Sequence, residues 1–102
     1  MSKFDLNDVL ALEGEQEVSE QEYFQALQRA INEGQWSLQG SYGRTMMEAI
    51  QNGFCMLGEQ PAKDYWGNRI PSRHEVLAGT KGSRQFVAAQ CGEEWAAAIE
   101  GA

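Results

Sequence analysis

From residue 19 onward apolar positions return every three or four residues. Tyr23, Leu27, Ala30 and Ile31 form one stripe with Phe24 beside it. Ser19-Glu20-Gln21-Glu22, ahead of that stripe, fits a capping box: the serine hydroxyl takes the backbone N–H three residues on, and Glu22 reaches back. Val18 and Tyr23 hold the staple positions, so the pattern predicts a helix over 19–33 that ends at Gly34. Upstream, Phe4, Leu6, Val9, Leu10 and Leu12 predict a shorter helix over 4–13, with Asp5 or Asn7 near its start and Gly14 just past its end. Residues 36–43, rich in glycine and aromatics, read as a loop. Residues 44–52 read as a helix with Met46, Met47, Ala49 and Ile50 inward and Gly53 as its stop. The apolar run 54–57, between Gly53 and Gly58, is either a short buried strand or an extended segment filling the core. Beyond Ser83, a plausible N-cap, Phe86, Val87, Cys91, Trp95, Ala98 and Ile99 recur at helical spacing. Gly92 either sits inside that last helix or splits it.

Between these segments lies 63–76, where aromatics, basic residues, a turn dipeptide and a proline crowd together. Gly67-Asn68 between Tyr65-Trp66 and Arg69-Ile70 is compatible with a tight hairpin turn needing positive φ, or with an ordered loop. Pro71 lacks a backbone donor and keeps any second strand short or at an edge. Val76-Leu77 is expected to pin the far end to the core. The fold class is therefore mainly α: one compact domain over residues 1–102, with about four helices and a short hairpin or ordered loop around Gly67-Asn68.

Charge changes the picture more than composition does. The 102 residues are 42% apolar, enough for one modest core, and carry a net charge of −7. That balance argues against a general nucleic-acid binder, which needs a cationic surface. It favours encounter with basic partners. Residues 1–35 hold eight acids against two bases, whereas 59–84 hold five bases against three acids. The distribution is bipolar. No apolar run is long enough to span a bilayer, and Met1 to Leu6 lack a signal peptide's apolar region. With only two cysteines, a reduced, cytoplasmic setting without membrane partners is expected.

Catalytic and metal chemistry find little support in the spacing. Cys55, His74 and Cys91 lack the close pairs of a zinc site, and both cysteines read as small core residues, so neither metal nor cofactor is expected. Every nucleophilic scheme depends on His74, the single histidine. Gly79-Thr80-Lys81-Gly82-Ser83 resembles an anion-binding loop at a helix start but reverses the Gly-Lys order of a P-loop. Tyr65, Trp66, Arg69 and Arg73 are residue types that dominate binding hot spots. Two readings stand: these side chains, with Asn68 at the turn, project as anchors, or Trp66 tucks under its own loop while Arg69 and Arg73 pair with acidic helices. Asp5, Asp8, Glu13, Glu15, Glu17, Glu20 and Glu22 form a candidate acidic face that steers association or imitates nucleic-acid phosphates.

The runs Gly40-Ser41-Tyr42-Gly43-Arg44-Thr45-Met46-Met47-Glu48-Ala49-Ile50, Asp64-Tyr65-Trp66-Gly67-Asn68-Arg69-Ile70-Pro71-Ser72-Arg73 and Gly79-Thr80-Lys81-Gly82-Ser83 together resemble small accessory proteins of bacteriophages and mobile elements, over roughly residues 40–95. Anti-CRISPR proteins are one such group. The resemblance implies a compact protein that disables or redirects a host machine by binding it, and it transfers no individual site. The expected function is a small acidic, non-enzymatic binding or inhibitor protein that blocks a basic site on a host protein or nucleoprotein. Two alternatives are a nucleic-acid contact through Lys63, Arg69, Arg73, Lys81 and Arg84 with Tyr65 and Trp66 stacking on bases, and a small enzyme centred on His74.

Overall fold

The computed structural model describes residues 4–37 and 40–102; Lys3, one of the two bases counted over residues 1–35, and Leu38 and Gln39 of the expected loop, lie outside them. The described chain is mainly helical: α1 (Leu6–Leu12), α2 (Glu20–Asn32), α3 (Gly40–Gln51), α4 (Arg84–Cys91) and α5 (Glu93–Glu100), with a 3-10 turn at Gln35–Ser37. Two short strands, β1 (Ala62–Lys63) and β2 (Arg69–Ile70), pair antiparallel with Ala62 opposite Ile70 and Lys63 opposite Arg69.

Local caps set the helix starts. Asp5 and Asp8 form a reciprocal capping box on α1, and Ser19 and Glu22 form one on α2. Ser83 caps α4 by accepting from the Phe86 amide at 3.1 Å. One expectation is corrected, one open choice is decided, and the helix count becomes five rather than about four. The loop expected over 36–43 is shorter, because α3 begins at Gly40 rather than Arg44, with Trp36 buried beneath it as a core residue. The last helix is two helices, since Gly92 takes φ 97° and ψ 160°, an extended left-handed-side conformation that an α-helix cannot contain. Arg84 then ties the pieces together, reaching Glu93 at 2.6 Å and Glu100 at 2.9 Å.

Helix α2 is the central element, packing against α1, α3 and α5. Its stripe of Leu27, Ala30 and Ile31 meets Trp36, Met46, Ile50 and Leu57 in one core cluster. A second cluster gathers Met56, Val87, Ala96 and Ile99, and Phe24 packs against both. Phe24 stacks on Phe54 with ring centroids 4.7 Å apart, and Trp95 meets both rings edge-on.

The apolar run 54–57 is the core-filling segment and forms no strand. Buried backbone without a sheet needs other partners. The Gln28 side chain, fully buried, accepts from the Met56 amide at 2.8 Å and donates to the Met56 carbonyl at 2.9 Å. The Arg73 Nε donates to the Leu57 carbonyl at 2.8 Å, and the Trp95 indole donates to the Phe54 carbonyl at 3.0 Å. The Leu57 amide donates to the Gly82 carbonyl at 3.0 Å.

Gln28→Leu strips Met56 of both backbone partners in a water-free site. It should destabilise the fold by about 3 kcal/mol, as an unsatisfied buried donor and acceptor require. Urea denaturation is the measurement. A loss of well under 1 kcal/mol would mean that the segment is not held this way.

Candidate interaction site

Lys63 and Arg69 close the ladder, and Asp64 starts the turn. The Gly67 amide donates to the Asp64 carbonyl at 3.1 Å, and the Asp64 amide donates to the Asn68 carbonyl at 3.0 Å. This encloses a three-residue tip, Tyr65-Trp66-Gly67, in which Gly67 supplies φ 83°. The two-residue Gly67-Asn68 turn is thereby corrected: Asn68 has no positive φ, and the aromatic pair itself forms the tip. One Asp64 oxygen accepts from the amides of Trp66 at 2.9 Å and Asn68 at 2.8 Å, and the other accepts from the Asn68 side chain at 3.2 Å. Desolvation opposes ionisation of Asp64. The bonds from Asn68, Trp66 and Gly67 outweigh it and hold the carboxyl below its ordinary value.

The two tip aromatics point into water. Tyr65 is 64% and Trp66 76% exposed, while each of the other eight aromatic residues is buried or half-buried. Their rings meet edge-on at 5.4 Å. Behind them a groove of ≈ 250 Å³ opens between hairpin and α3, floored by Trp36, Met47 and Ile70 and edged by Arg44 and Asp64. No salt bridge engages the exposed Arg44 among the described residues.

The arginines expected as anchors are spent differently. Arg69 remains at the surface and pairs with Glu75 at 2.7 Å. Arg73 is only 8% exposed and lies inside the protein, where a surface anchor does not belong. Besides the Leu57 carbonyl it donates to the Asn32 side chain at 3.1 Å, and Glu59 stands 4.0 Å away. Burial lowers its pKa, with the charges of Glu59 and Glu100 opposing that shift. Glu75 also accepts from the Ser72 amide at 2.8 Å, and that bond, with Arg69, holds its pKa down. Val76 packs on the core as expected, whereas Leu77 is exposed and pins nothing.

The acidic face also divides. Asp8 is buried and grips Arg29 with two bonds of 2.8 Å, tying α1 to α2, so it cannot steer a partner. Asp5 and Glu22 are exposed but engaged as caps, while Glu13, Glu15, Glu17 and Glu20 are exposed. Residues that sequence reasoning did not assign to a site include Trp36, Arg44 and Met47 of the groove. Only the return of the chain from α3 to the hairpin brings them together.

The other candidate chemistries are dispersed. His74 is exposed on its turn, and Cys55 is buried with its thiol pushed up by desolvation, the reverse of an activated nucleophile. Cys91 is half-buried rather than a core residue, and burial raises its thiol too. No group of three metal-ligating side chains gathers among the described residues. In the Gly79–Ser83 loop, Ser83 already accepts from the Gly79 and Phe86 amides, at 3.0 and 3.1 Å.

Fold and site together define a small helical domain with a projecting aromatic hairpin. Compared with protein-family models, curated proteins and solved structures, the chain matches none. No helix among the described residues is long and apolar enough to cross a membrane.

Both carboxylates that brace the hairpin have lowered pKa values, so their contribution is present above the unfolded values and lost as pH falls through the folded ones. The amides of Asn68 and Ser72 should keep their exchange protection from neutral pH down to about the ordinary glutamate value of 4.5 and lose it below the ordinary aspartate value of 3.8. Hydrogen exchange followed by NMR reads this directly. Protection unchanged at pH 2–3, a range set well below both ordinary values, would exclude carboxylate bracing. In a separate experiment, acrylamide should quench a component of tryptophan fluorescence that disappears in Trp66→Phe, since Trp36 is buried and Trp95 half-buried.

Proposed function

We propose that the protein is a small, non-enzymatic binding protein that grips a macromolecular partner with the Tyr65–Trp66 tip and blocks a basic site on it. The observation that carries this reading is the exposure of two adjacent aromatics on a braced turn, in a chain that withdraws its other aromatics from water. Tyr and Trp offer large contact area with little conformational entropy to lose, and Asp64 has already fixed the backbone beneath them.

The charge supports a basic partner. At a net charge of −7, with Glu13, Glu15, Glu17 and Glu20 exposed, the protein favours approach to cationic surfaces. A protein or nucleoprotein whose basic groove handles nucleic acid is the class that such a molecule blocks most directly. A host target of this kind is what the resemblance to phage accessory proteins implies. The nucleic-acid reading has less to draw on. Of its five cations, Arg73 is buried and Arg69 and Arg84 are ion-paired, leaving Lys63 and Lys81.

Capture of partners from the native host on immobilised protein should retain a basic protein whose binding weakens steeply between about 0.05 and 0.5 M salt, as the Debye length shrinks. Trp66→Ala should reduce that affinity roughly thirtyfold, about 2 kcal/mol, while changing fold stability by less than about 0.5 kcal/mol. A partner held equally well by wild type and Trp66→Ala would remove the tip from the mechanism, and a salt-insensitive one would remove the charge.

A further inference from the structure

Among the described residues, Arg44 is the one arginine that the fold leaves unanswered. Arg29, Arg69, Arg73 and Arg84 each have a carboxylate within 4.0 Å, and Arg44 has none. It stands exposed at the edge of the ≈ 250 Å³ groove, beside the floor of Trp36, Met47 and Ile70 and the rim of Tyr65 and Trp66. Asp64 lines the same groove, but its two oxygens already accept three N–H groups of the turn. The exposed acids Glu13 and Glu15 border a separate cavity on the opposite side of α3, with Tyr42 and Thr45. A free guanidinium therefore sits against apolar and aromatic walls, in a chain whose net charge is −7.

We propose that the groove receives one apolar side chain of a protein partner with a single carboxylate beside it, the apolar group packing on Trp36, Met47 and Ile70 while Arg44 takes the carboxylate. The proposal rests on the reading of the tip as a grip and names the group on which that grip closes. The walls select the apolar part. Aromatic faces and a flexible thioether adapt to an aliphatic or aromatic group, and its entry removes apolar area of both molecules from water. Arg44 selects the charge: a guanidinium presents parallel N–H groups that match a carboxylate, repels a cation and gains little from a neutral group. The net charge of −7 limits the anion to one. A nucleic-acid strand or an acidic tract brings many negative charges against it, whereas a lone carboxylate on an otherwise basic surface keeps the long-range attraction. Size points the same way. At ≈ 250 Å³ the groove falls below the roughly 300–1,000 Å³ of small-molecule sites and suits one side chain with its neighbour.

The test is an NMR titration of the isotope-labelled protein with a short lysine-flanked peptide carrying phenylalanine followed by glutamate. Two control peptides keep the flanks and replace either the glutamate by glutamine or the phenylalanine by alanine. The first peptide should shift the amides of Gly43, Met47 and Ile70 and the Trp36 indole saturably. Glutamine in place of glutamate should weaken binding roughly threefold, as loss of an exposed ion pair does, and alanine in place of phenylalanine about tenfold. Arg44→Gln alters an exposed side chain without an ion pair, so the variant stays folded. It should bind the glutamate peptide roughly threefold more weakly and the glutamine peptide as before, a difference that a general loosening of the groove would not produce. Equal affinity for the glutamate and glutamine peptides, or an Arg44→Gln loss common to both, would overturn the carboxylate assignment. Undiminished binding of the alanine peptide would overturn the apolar one. A single-stranded oligonucleotide that shifts the same resonances more strongly than the peptide would replace the protein partner with nucleic acid. The partner captured from the host separates this proposal from the reading beneath it. Release by Trp66→Ala with full retention by Arg44→Gln defeats the groove assignment alone, and full retention by both variants defeats the tip as well.

Discussion

A buried segment outside any helix or strand, residues 54–57, runs through the middle of this protein, and the rest of the architecture answers that constraint. Residues 54–57 are apolar enough to be drawn inside, but each brings an amide and a carbonyl that water can no longer satisfy. Side chains take the role of neighbouring strands. Gln28 from α2 matches Met56 donor for acceptor, Arg73 from beyond the hairpin takes the Leu57 carbonyl, and Trp95 from α5 takes that of Phe54. Elements distant in sequence thus meet on one short run of backbone. This is why α2 is central and why an arginine lies in the interior.

Arg73 links that interior to the surface. Its side chain holds Leu57 and Asn32, and its own amide donates to the Gly58 carbonyl at 2.8 Å, so the strand that leaves the hairpin is fastened to the core segment. Arg69 and Glu75 pair across the same region, and Asp64 organises the turn itself. The tip therefore projects from a braced base. Tyr65 and Trp66 stay exposed at that tip, along the edge of the groove between hairpin and α3. Helix α3 separates this aromatic side from the acidic one: Gly43, Arg44 and Met47 look towards the groove, and Tyr42 and Thr45 towards the cavity with Glu13 and Glu15.

Much of the local structure was legible in residue order, because it depends on partners three or four positions apart. The capping box at Ser19, a helix start near Asp5, the serine cap at position 83 and the helix ends before Gly14, Gly34 and Gly53 all come from such short-range chemistry; the box that Asp5 closes with Asp8 was not read from the sequence. The hairpin was legible only in part. A glycine with positive φ was read correctly, but the Asp64 side chain, by bonding two and four residues ahead, shifted the turn one step back and put the aromatics at its apex. The start of α3 was missed because Gly40 and Gly43 are weak helix formers, and burial of Trp36 and Tyr42 overrides their preference.

The amino-acid order by itself determined a mainly helical chain, its principal caps, an acidic beginning and an aromatic–basic centre. Tertiary structure alone decided which charges stay free. Asp8 and Arg73 look no different in sequence from Glu15 and Arg44, yet the former two are buried against partners 21 and 16 positions away, Arg29 and the Leu57 carbonyl. The reason is physical: a side chain's availability depends on desolvation and on donors brought near by packing, and neither is a property of its neighbours along the chain.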